Sequence, residues 1–204
     1  PLTGYKPEEL LGNNRISYEE ITHPEDRARV RAEIHQALKA GKQFDLEYRI
    51  ITAQGTERWV WERGIGIKSP DGTIPFLEGF ITDITQKRRY EEELHRIQMA
   101  VENASDCIGI TEPDGRVLFH NRAFREQLGY TPSDVNKGGG PSHIFVVQGV
   151  HDQIFGTMLA GQTWTGDVQI YDATRTVRDF HLRANPIFDA QGKIVALMGV
   201  FTDV

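Results

Sequence analysis

The stretch Gly79-Phe80-Ile81-Thr82-Asp83 returns later in the chain as Gly199-Val200-Phe201-Thr202-Asp203, and 199 − 79 = 120 residues separate the two copies. Upstream of it, Gly72-Thr-Ile74 returns as Gly192-Lys-Ile194 at the same separation. Collinear matches at one separation indicate an internal repeat, which has to be recognised before a fold is assigned. We therefore predict two copies of one folded unit.

The two copies differ in how they start. Leu2-Thr-Gly4-Tyr5-Lys-Pro7 in the first copy matches Gln127-Leu-Gly129-Tyr130-Thr-Pro132 in the second, now at a separation of 129 − 4 = 125 residues. The second copy has two strand-like runs before this turn, Cys107–Thr111 and Val117–Asn121, whereas the first copy begins almost at the turn. We therefore expect the first unit to lack its first two strands.

Alternating residue types identify the strands of the unit. Over Phe44–Ile50 apolar residues alternate with charged ones, which is the period-two pattern of a strand with one buried face. Two further strands, Arg58–Ile67 and Ile74–Ile84, follow it, and an amphipathic helix precedes it. The second copy supplies counterparts at residues 168–173, 178–187 and 194–204. Strands at both ends of a unit with helices between them predict the α+β class.

Three features resemble the PAS domains of bacterial sensor proteins. They are the turn Leu128-Gly-Tyr-Thr-Pro132, an Asp-Gly turn before the last strand, and the ending Phe80-Ile-Thr-Asp-Ile-Thr85 followed by a charged helix. In addition, His23-Pro-Glu-Asp-Arg27 and Arg58-Trp59-Val60 resemble the PAS subclass that is abundant in histidine kinases and cyclic-dinucleotide synthases. The resemblance covers essentially the whole chain.

The resemblance implies a domain organisation and a role. Each unit is expected to be an antiparallel sheet of order 2-1-5-4-3 with helices on one face that enclose a small pocket. The domains implied are 1–85, a connecting signalling helix at 86–103, and 104–204. The implied function is to detect a small ligand or a redox state and to relay it to an output domain, expected to be a histidine kinase. A ligand-free dimerisation and relay module is the alternative.

The connecting segment 86–103 is rich in helix formers and contains neither Gly nor Pro. Tyr90, Leu94, Ile97 and Val101 follow one another at steps of 4, 3 and 4, the spacing of a coiled-coil seam. The seam fits a helix that pairs with its copy in a homodimer, and it fits an amphipathic spacer packed on its own sheet. Spacing alone does not decide between pairing in a homodimer and packing on the sheet, because a sustained coiled coil needs three or four heptads.

Apolar residues of the second copy are candidates for the wall of a ligand pocket, and equally for plain core. They are Ile154, Phe155, Val168, Ile170, Leu182 and Met198.

The sequence contains no pattern typical of a catalytic or metal site. The seven histidines show no ligand spacing, and no nucleophile motif is present. His151 lies on the helix from which haem-binding PAS domains ligate iron, but His151-Asp152 would serve equally to cap that helix. Cys107 lies on a strand, outside the helical motif of photosensing members. We expect neither haem nor flavin to be tightly bound, and we expect the fragment itself to be non-catalytic.

Charge and hydropathy limit the partners further. The formal net charge is −6, and the basic residues are scattered, which disfavours nucleic acid as a partner. No stretch approaches the roughly 18 to 20 apolar residues that span a bilayer, so direct membrane contact is not expected. The single cysteine fits a reducing cytoplasm.

Overall fold

The chain folds as two units. The computed structural model describes residues 2–10, 16–70 and 72–204. Two compact units are present, Pro1–Leu94 and His95–Val204, called here the first and the second unit. Each has its own cluster of buried apolar side chains. The repeat in the sequence therefore corresponds to two separate hydrophobic cores.

The first unit is a three-stranded antiparallel sheet with helices before it. In chain order its elements are α1 (Pro7–Leu10), α2 (Tyr18–Ile21), α3 (Pro24–Lys39), β1 (Phe44–Ile51), β2 (Glu57–Ile67) and β3 (Phe76–Asp83). The strand order is β1-β2-β3, and β3 has no second strand partner among the described residues. Phe76 and Leu77 on β3 are 71% and 52% exposed. The prediction that this unit lacks two strands is confirmed.

An ion pair between Asp26 and Arg49 joins α3 to the sheet of the first unit. Asp26 is 8% exposed, and its Oδ2 accepts hydrogen bonds from the backbone N of Arg49 at 2.9 Å and from its Nε at 3.0 Å. The hydrogen bond from the Arg49 side chain lowers the pKa of Asp26. Hydrogen bonds to charged groups are stronger than neutral ones, so this pair fixes the helix against β1.

The second unit is a complete five-stranded sheet. In chain order the elements from the connecting helix onward are α4 (Thr85–Glu102), β4 (Cys107–Thr111), β5 (Val117–His120), α5 (Arg122–Leu128), α6 (Pro132–Lys137), a 3-10 helix (Pro141–Ile144), α7 (Val150–Leu159), β6 (Trp164–Tyr171), β7 (Val177–Phe188) and β8 (Ile194–Asp203). The strand order is β5-β4-β8-β7-β6. Numbered within the unit this is 2-1-5-4-3, which confirms the predicted topology.

A bulge interrupts the hairpin of β4 and β5. Ile110 pairs with Phe119, but Thr111 pairs with Val117, so Leu118 is an extra residue on β5. An extra residue breaks the alternation of side chains between the two faces of a sheet. As a result Val117 and His120 are both buried, each at 4% exposure, although they are three residues apart.

The glycine-rich segment after α6 is short and irregular. Gly139 and Gly140 have φ angles of 96° and 97°, a left-handed conformation that other residues adopt only with strain. Gly140 N donates to the Val135 carbonyl at 3.0 Å, and the 3-10 helix begins at Pro141. Ile144 at the end of this 3-10 helix is buried in the core of the second unit, and the next residue, Phe145, forms a β-bridge with Ile170.

Helix α4 begins at an aspartate cap. Asp83 Oδ1 accepts a hydrogen bond from the Thr85 backbone N at 2.9 Å. The Gln86 side chain donates to the Tyr90 hydroxyl at 3.1 Å. The helix thus starts directly after β3, without an intervening loop.

Candidate functional site

A cavity of about 60 Å³ lies within the second unit, between its helices and the inner face of its sheet. The sheet contributes Gly109, Thr111, Val117, His120, Leu182, Ala184, Leu197, Gly199 and Phe201. The helices and the segment between them contribute Phe124, Val135, Pro141, Ile144, Phe145, Ile154, Phe155 and Met158. The lining is apolar except for His120 and Thr111.

The periodicities of strand and helix produce this lining. On β8 the lining residues Leu197, Gly199 and Phe201 are two apart, as expected for one face of a strand. On α7, Ile154 and Met158 are four apart and share one face. The cavity therefore follows from the same alternation that specifies the core.

Three of the six predicted pocket residues line the cavity. Ile154, Phe155 and Leu182 do so. Val168 and Ile170 on β6 are 5% and 0% exposed and belong to the same buried cluster, but they are not part of the lining.

The sixth residue, Met198, lies between two lining residues. Its neighbours Leu197 and Gly199 on β8 face the cavity, so the Met198 side chain leaves from the opposite face of the sheet, where it is half-buried. A one-residue change of register decides which face a strand residue occupies.

His120 is the lining residue that the sequence did not single out. Its ring stacks on Phe124 with centroids 3.8 Å apart, and its Nδ1 lies 3.2 Å from the Tyr130 carbonyl oxygen. Burial lowers the pKa of His120 to about 4. The ring is therefore neutral near pH 7. No hydrogen-bond partner for its Nε2 is found among the residues that the structure describes.

His151 is close to the cavity without lining it. Its ring packs on Phe155 and Phe145, with centroids 4.2 and 5.7 Å away, and both of these rings line the cavity. Nδ1 lies 3.1 Å from Asp152 Oδ1, while Nε2 is buried without a partner. An unpaired imidazole nitrogen is a possible iron ligand. However, a cavity of about 60 Å³ has room for only a few non-hydrogen atoms, and a porphyrin has many times more, so this site does not fit haem.

Two side chains connect the cavity wall to the end of α4. Asn121 is fully buried, and its Nδ2 donates to the carbonyl oxygens of Val101 at 3.2 Å and Asp106 at 2.9 Å. Arg125 donates to the His120 carbonyl and forms an ion pair with Glu102. Residues directly beside the lining residue His120 therefore hold the last turn of the connecting helix.

The first unit has a more open groove of about 290 Å³ whose wall is partly polar. The Tyr48 hydroxyl donates to Glu62 Oε2 at 2.6 Å. Burial raises the pKa of Glu62, although the hydrogen bond from Tyr48 opposes that shift. The Tyr18 hydroxyl is buried in the same groove and has no well-formed hydrogen bond to a described residue. The groove thus presents an acid and two phenols.

The described residues contain neither a metal-binding cluster nor a membrane-spanning helix. Nowhere in 2–10, 16–70 and 72–204 do three or more His, Cys, Asp or Glu side chains converge so that they could hold a metal ion. None of the described helices combines the length and the apolar character needed to cross a bilayer.

Both units match family models. Residues 1–81 match the model described as PAS fold, and residues 105–204 match the model described as PAS domain. The two matches follow one another in the chain and include both sheets.

Curated relatives are similar to parts of the chain. An uncharacterized protein of Sinorhizobium fredii is 30% identical over 133 residues, 63% of this chain and 16% of the relative. The methyl sulfide methyltransferase-associated sensor of Methanosarcina acetivorans is 38% identical over 90 residues, 44% of this chain and 9% of the relative. The blue-light-activated histidine kinase of Brucella ovis is 32% identical over 88 residues, 43% of this chain and 17% of the relative. The matched region thus spans less than a fifth of each relative.

Proposed function

The chain belongs to the PAS family as two domains in tandem, and from that premise we propose that its second domain detects a small, mostly apolar molecule. The domains assigned by this proposal are 1–85 and 104–204, with the connecting helix at 86–103. The observation that carries it is the cavity, which is lined by apolar side chains and two polar ones. Ligand sites are typically apolar pockets with a few placed polar groups.

The volume of the cavity sets the size of the ligand. A single ordered water needs about 10 to 15 Å³, so a cavity of about 60 Å³ holds about four to six non-hydrogen atoms. The best small ligands gain about −1.5 kcal/mol per such atom, which limits the dissociation constant to about 0.3 μM or weaker. The proposed ligand is therefore a molecule of only a few non-hydrogen atoms.

The contacts of Asn121 and Arg125 support a relay to the connecting helix. Both side chains bond to α4 or to the residues just after it, and both lie within a few residues of the cavity wall. A ligand that shifts His120 would alter the hydrogen bonds that hold Glu102 and Val101. The proposal is that occupancy changes the position or the stability of the last turn of α4.

The output of the whole protein is proposed from the relatives. PAS domains in tandem are generally non-catalytic sensory modules. One similar protein is called a sensor and another a histidine kinase, and each extends far beyond the matched region. We therefore propose a histidine kinase as the output domain, with a cyclic-dinucleotide synthase as the other candidate.

Xenon tests the cavity, because xenon enters apolar cavities of this kind. In methyl NMR spectra we expect saturable, xenon-dependent shifts at Ile154 and Leu182. The substitution Ala184→Val fills part of the cavity and should reduce these shifts several-fold. Ala196→Val is the matched control, since Ala196 is a buried alanine of the same sheet outside the lining. Absence of shifts at both methyl groups in the wild type would contradict the proposed pocket.

The exposed seam of α4 favours a second candidate, a dimerisation and relay module. Tyr90, Leu94 and Ile97 are 62%, 67% and 56% exposed, at the steps of a coiled-coil seam. A second copy of the chain would cover them. Leu94→Lys should shift a dimer towards monomer in light scattering, whereas Met99→Lys, on the outer side of the same helix, should not. A wild-type monomer at high concentration would exclude this candidate.

A further inference from the structure

The cavity wall contains only two polar side chains among the described residues, His120 and Thr111. Thr111 is half-buried, whereas His120 is 4% exposed. A nearly fully buried polar side chain normally has all of its polar atoms paired, since an unpaired one costs free energy. The partners of the two nitrogens of His120 therefore indicate what the cavity is built to receive.

The contact at Nδ1 fixes the tautomer of His120. Nδ1 lies 3.2 Å from the backbone carbonyl oxygen of Tyr130. A carbonyl oxygen only accepts hydrogen bonds, so Nδ1 carries the proton and donates. In a neutral imidazole the other nitrogen, Nε2, is then an acceptor.

Nε2 has no hydrogen-bond donor among the residues described, and it is not one of the fully buried unpaired atoms. Because His120 is 4% exposed and lines the cavity, the accessible space at Nε2 is that of the cavity. The edge of the ring that carries Nε2 lies next to Gly109, and a Cβ added at Gly109 would lie 3.8 Å from Nε2. Gly109 also lines the cavity. The other end of the ring is held by the Tyr130 carbonyl and one face by Phe124. The ring is therefore held in place with its free acceptor on the cavity side.

The surroundings of Nε2 select a neutral partner. The remaining lining is apolar apart from Thr111, and an ion in such a site would lose its hydration without compensation. Arg125 bonds to the His120 backbone carbonyl and to Glu102, so its charge is already paired. A neutral donor such as a hydroxyl group satisfies the histidine at no such cost.

We propose that His120 recognises the ligand, which is a small aliphatic alcohol or a similarly sized neutral molecule whose hydroxyl group donates a hydrogen bond to Nε2. This inference rests on the proposed pocket and adds the chemical class of its ligand. It assigns recognition to one acceptor atom and size selection to the apolar wall.

Two probes with the same carbon skeleton test the inference. 2-Butanol carries a hydroxyl donor, and 2-butanone carries only an acceptor. The net gain from one neutral hydrogen bond corresponds to about 3- to 10-fold in affinity, so we expect 2-butanol to bind that much more tightly, by NMR titration of the Ile154 and Leu182 methyl groups.

Two variants test whether the preference for 2-butanol over 2-butanone depends on Nε2 of His120. His120→Phe keeps an aromatic ring against Phe124 and should reduce the affinity ratio of the two probes to about one. Thr111→Val removes the other polar side chain and should leave the ratio unchanged. If Thr111→Val abolishes the preference and His120→Phe preserves it, the assignment to His120 is overturned.

A measurement on the wild type covers the case in which His120→Phe does not fold. The ¹⁵N resonance of His120 Nε2 should move on addition of 2-butanol and stay in place on addition of 2-butanone. Equal binding of both probes, with no shift of Nε2, overturns this inference and leaves the pocket intact. Failure of both probes to shift the Ile154 and Leu182 methyl groups overturns the proposed pocket itself.

Discussion

The two units place different chemistry at equivalent positions of one fold. With the separation of 120 residues, Glu62 on β2 corresponds to Leu182 on β7, and Tyr48 on β1 corresponds to Val168 on β6. The helix that faces each sheet differs in the same way, since His35 on α3 corresponds to Phe155 on α7. The inner side of the first unit is therefore partly polar, and that of the second is apolar around one histidine.

This comparison separates what specifies the fold from what specifies the site. Ile50 and Ile170 are both 0% exposed, and each belongs to a strand with the same pairing in its own unit. The backbone arrangement is thus set by apolar residues that the two copies share. The residues that differ, Glu62 and Leu182 above all, face the groove and the cavity, so they define which molecule each could accept.

The largest expected effect comes from exchanging the residues at this position. Leu182→Glu places a carboxylate in an apolar cavity without the tyrosine that Glu62 has, and it should destabilise the second unit by about 3 to 5 kcal/mol. Glu62→Leu leaves the Tyr48 hydroxyl unpaired and should cost the first unit about 1 to 3 kcal/mol. Urea unfolding, followed by NMR signals from each unit, measures the loss of unfolding free energy in both variants. Equal losses in the two units would contradict the comparison.

The next effect is the pH dependence that His120 gives to the second unit. The folded state holds this ring neutral down to about pH 4, whereas the unfolded chain binds a proton below about pH 6.5. The contribution of the neutral His120 to the stability of the second unit is therefore fully present above pH 6.5. It is lost as the pH falls, and the loss amounts to about 3 kcal/mol at pH 4. His120→Phe should lack this loss. A wild type and variant that lose stability in parallel would show that His120 is not the group responsible.

The smallest effect has the opposite sign and belongs to the first unit. Burial raises the pKa of Glu62, so its contribution is present below the ordinary glutamate pKa of 4.5 and is lost as the pH rises through the folded value. Relative to wild type, Glu62→Gln should therefore become more stable as the pH increases. Hydrogen exchange of first-unit peptides at several pH values measures the difference in stability. A wild type whose stability rises relative to that of the variant as the pH increases would contradict this prediction.

Much of the fold could be predicted from the sequence. Alternation over Phe44–Ile50 and the repeat near Gly79 and Gly199 indicate the strands, their number in each unit and the lack of two strands in the first. These are local patterns, and each follows from the period of a strand or from direct comparison of the copies. Strand order came from the family resemblance rather than from any pattern in the residues.

The polar residues of the site could not be found in this way. His120 faces the cavity because Leu118 is an extra residue on β5. No pattern in the sequence predicts that bulge. Glu62 shares the inner face with Val60 and Gly64. The hydrogen bond from Tyr48 on another strand, which offsets the cost of burying Glu62, is a contact between strands that no local pattern predicts. The repeat offered one usable signal, since Leu182 was a pocket candidate and its counterpart is Glu62.

Hydrogen exchange in the last turn of α4 tests the central claim most directly, because it measures whether occupancy of the cavity changes the stability of the connecting helix. The amides of Asn103 and Ala104 donate to the carbonyl oxygens of Met99 and Val101 within this turn. On addition of saturating 2-butanol we expect exchange of these two amides to change together with that of the cavity lining. Protection confined to the lining, with unchanged exchange at the end of α4, would contradict the account.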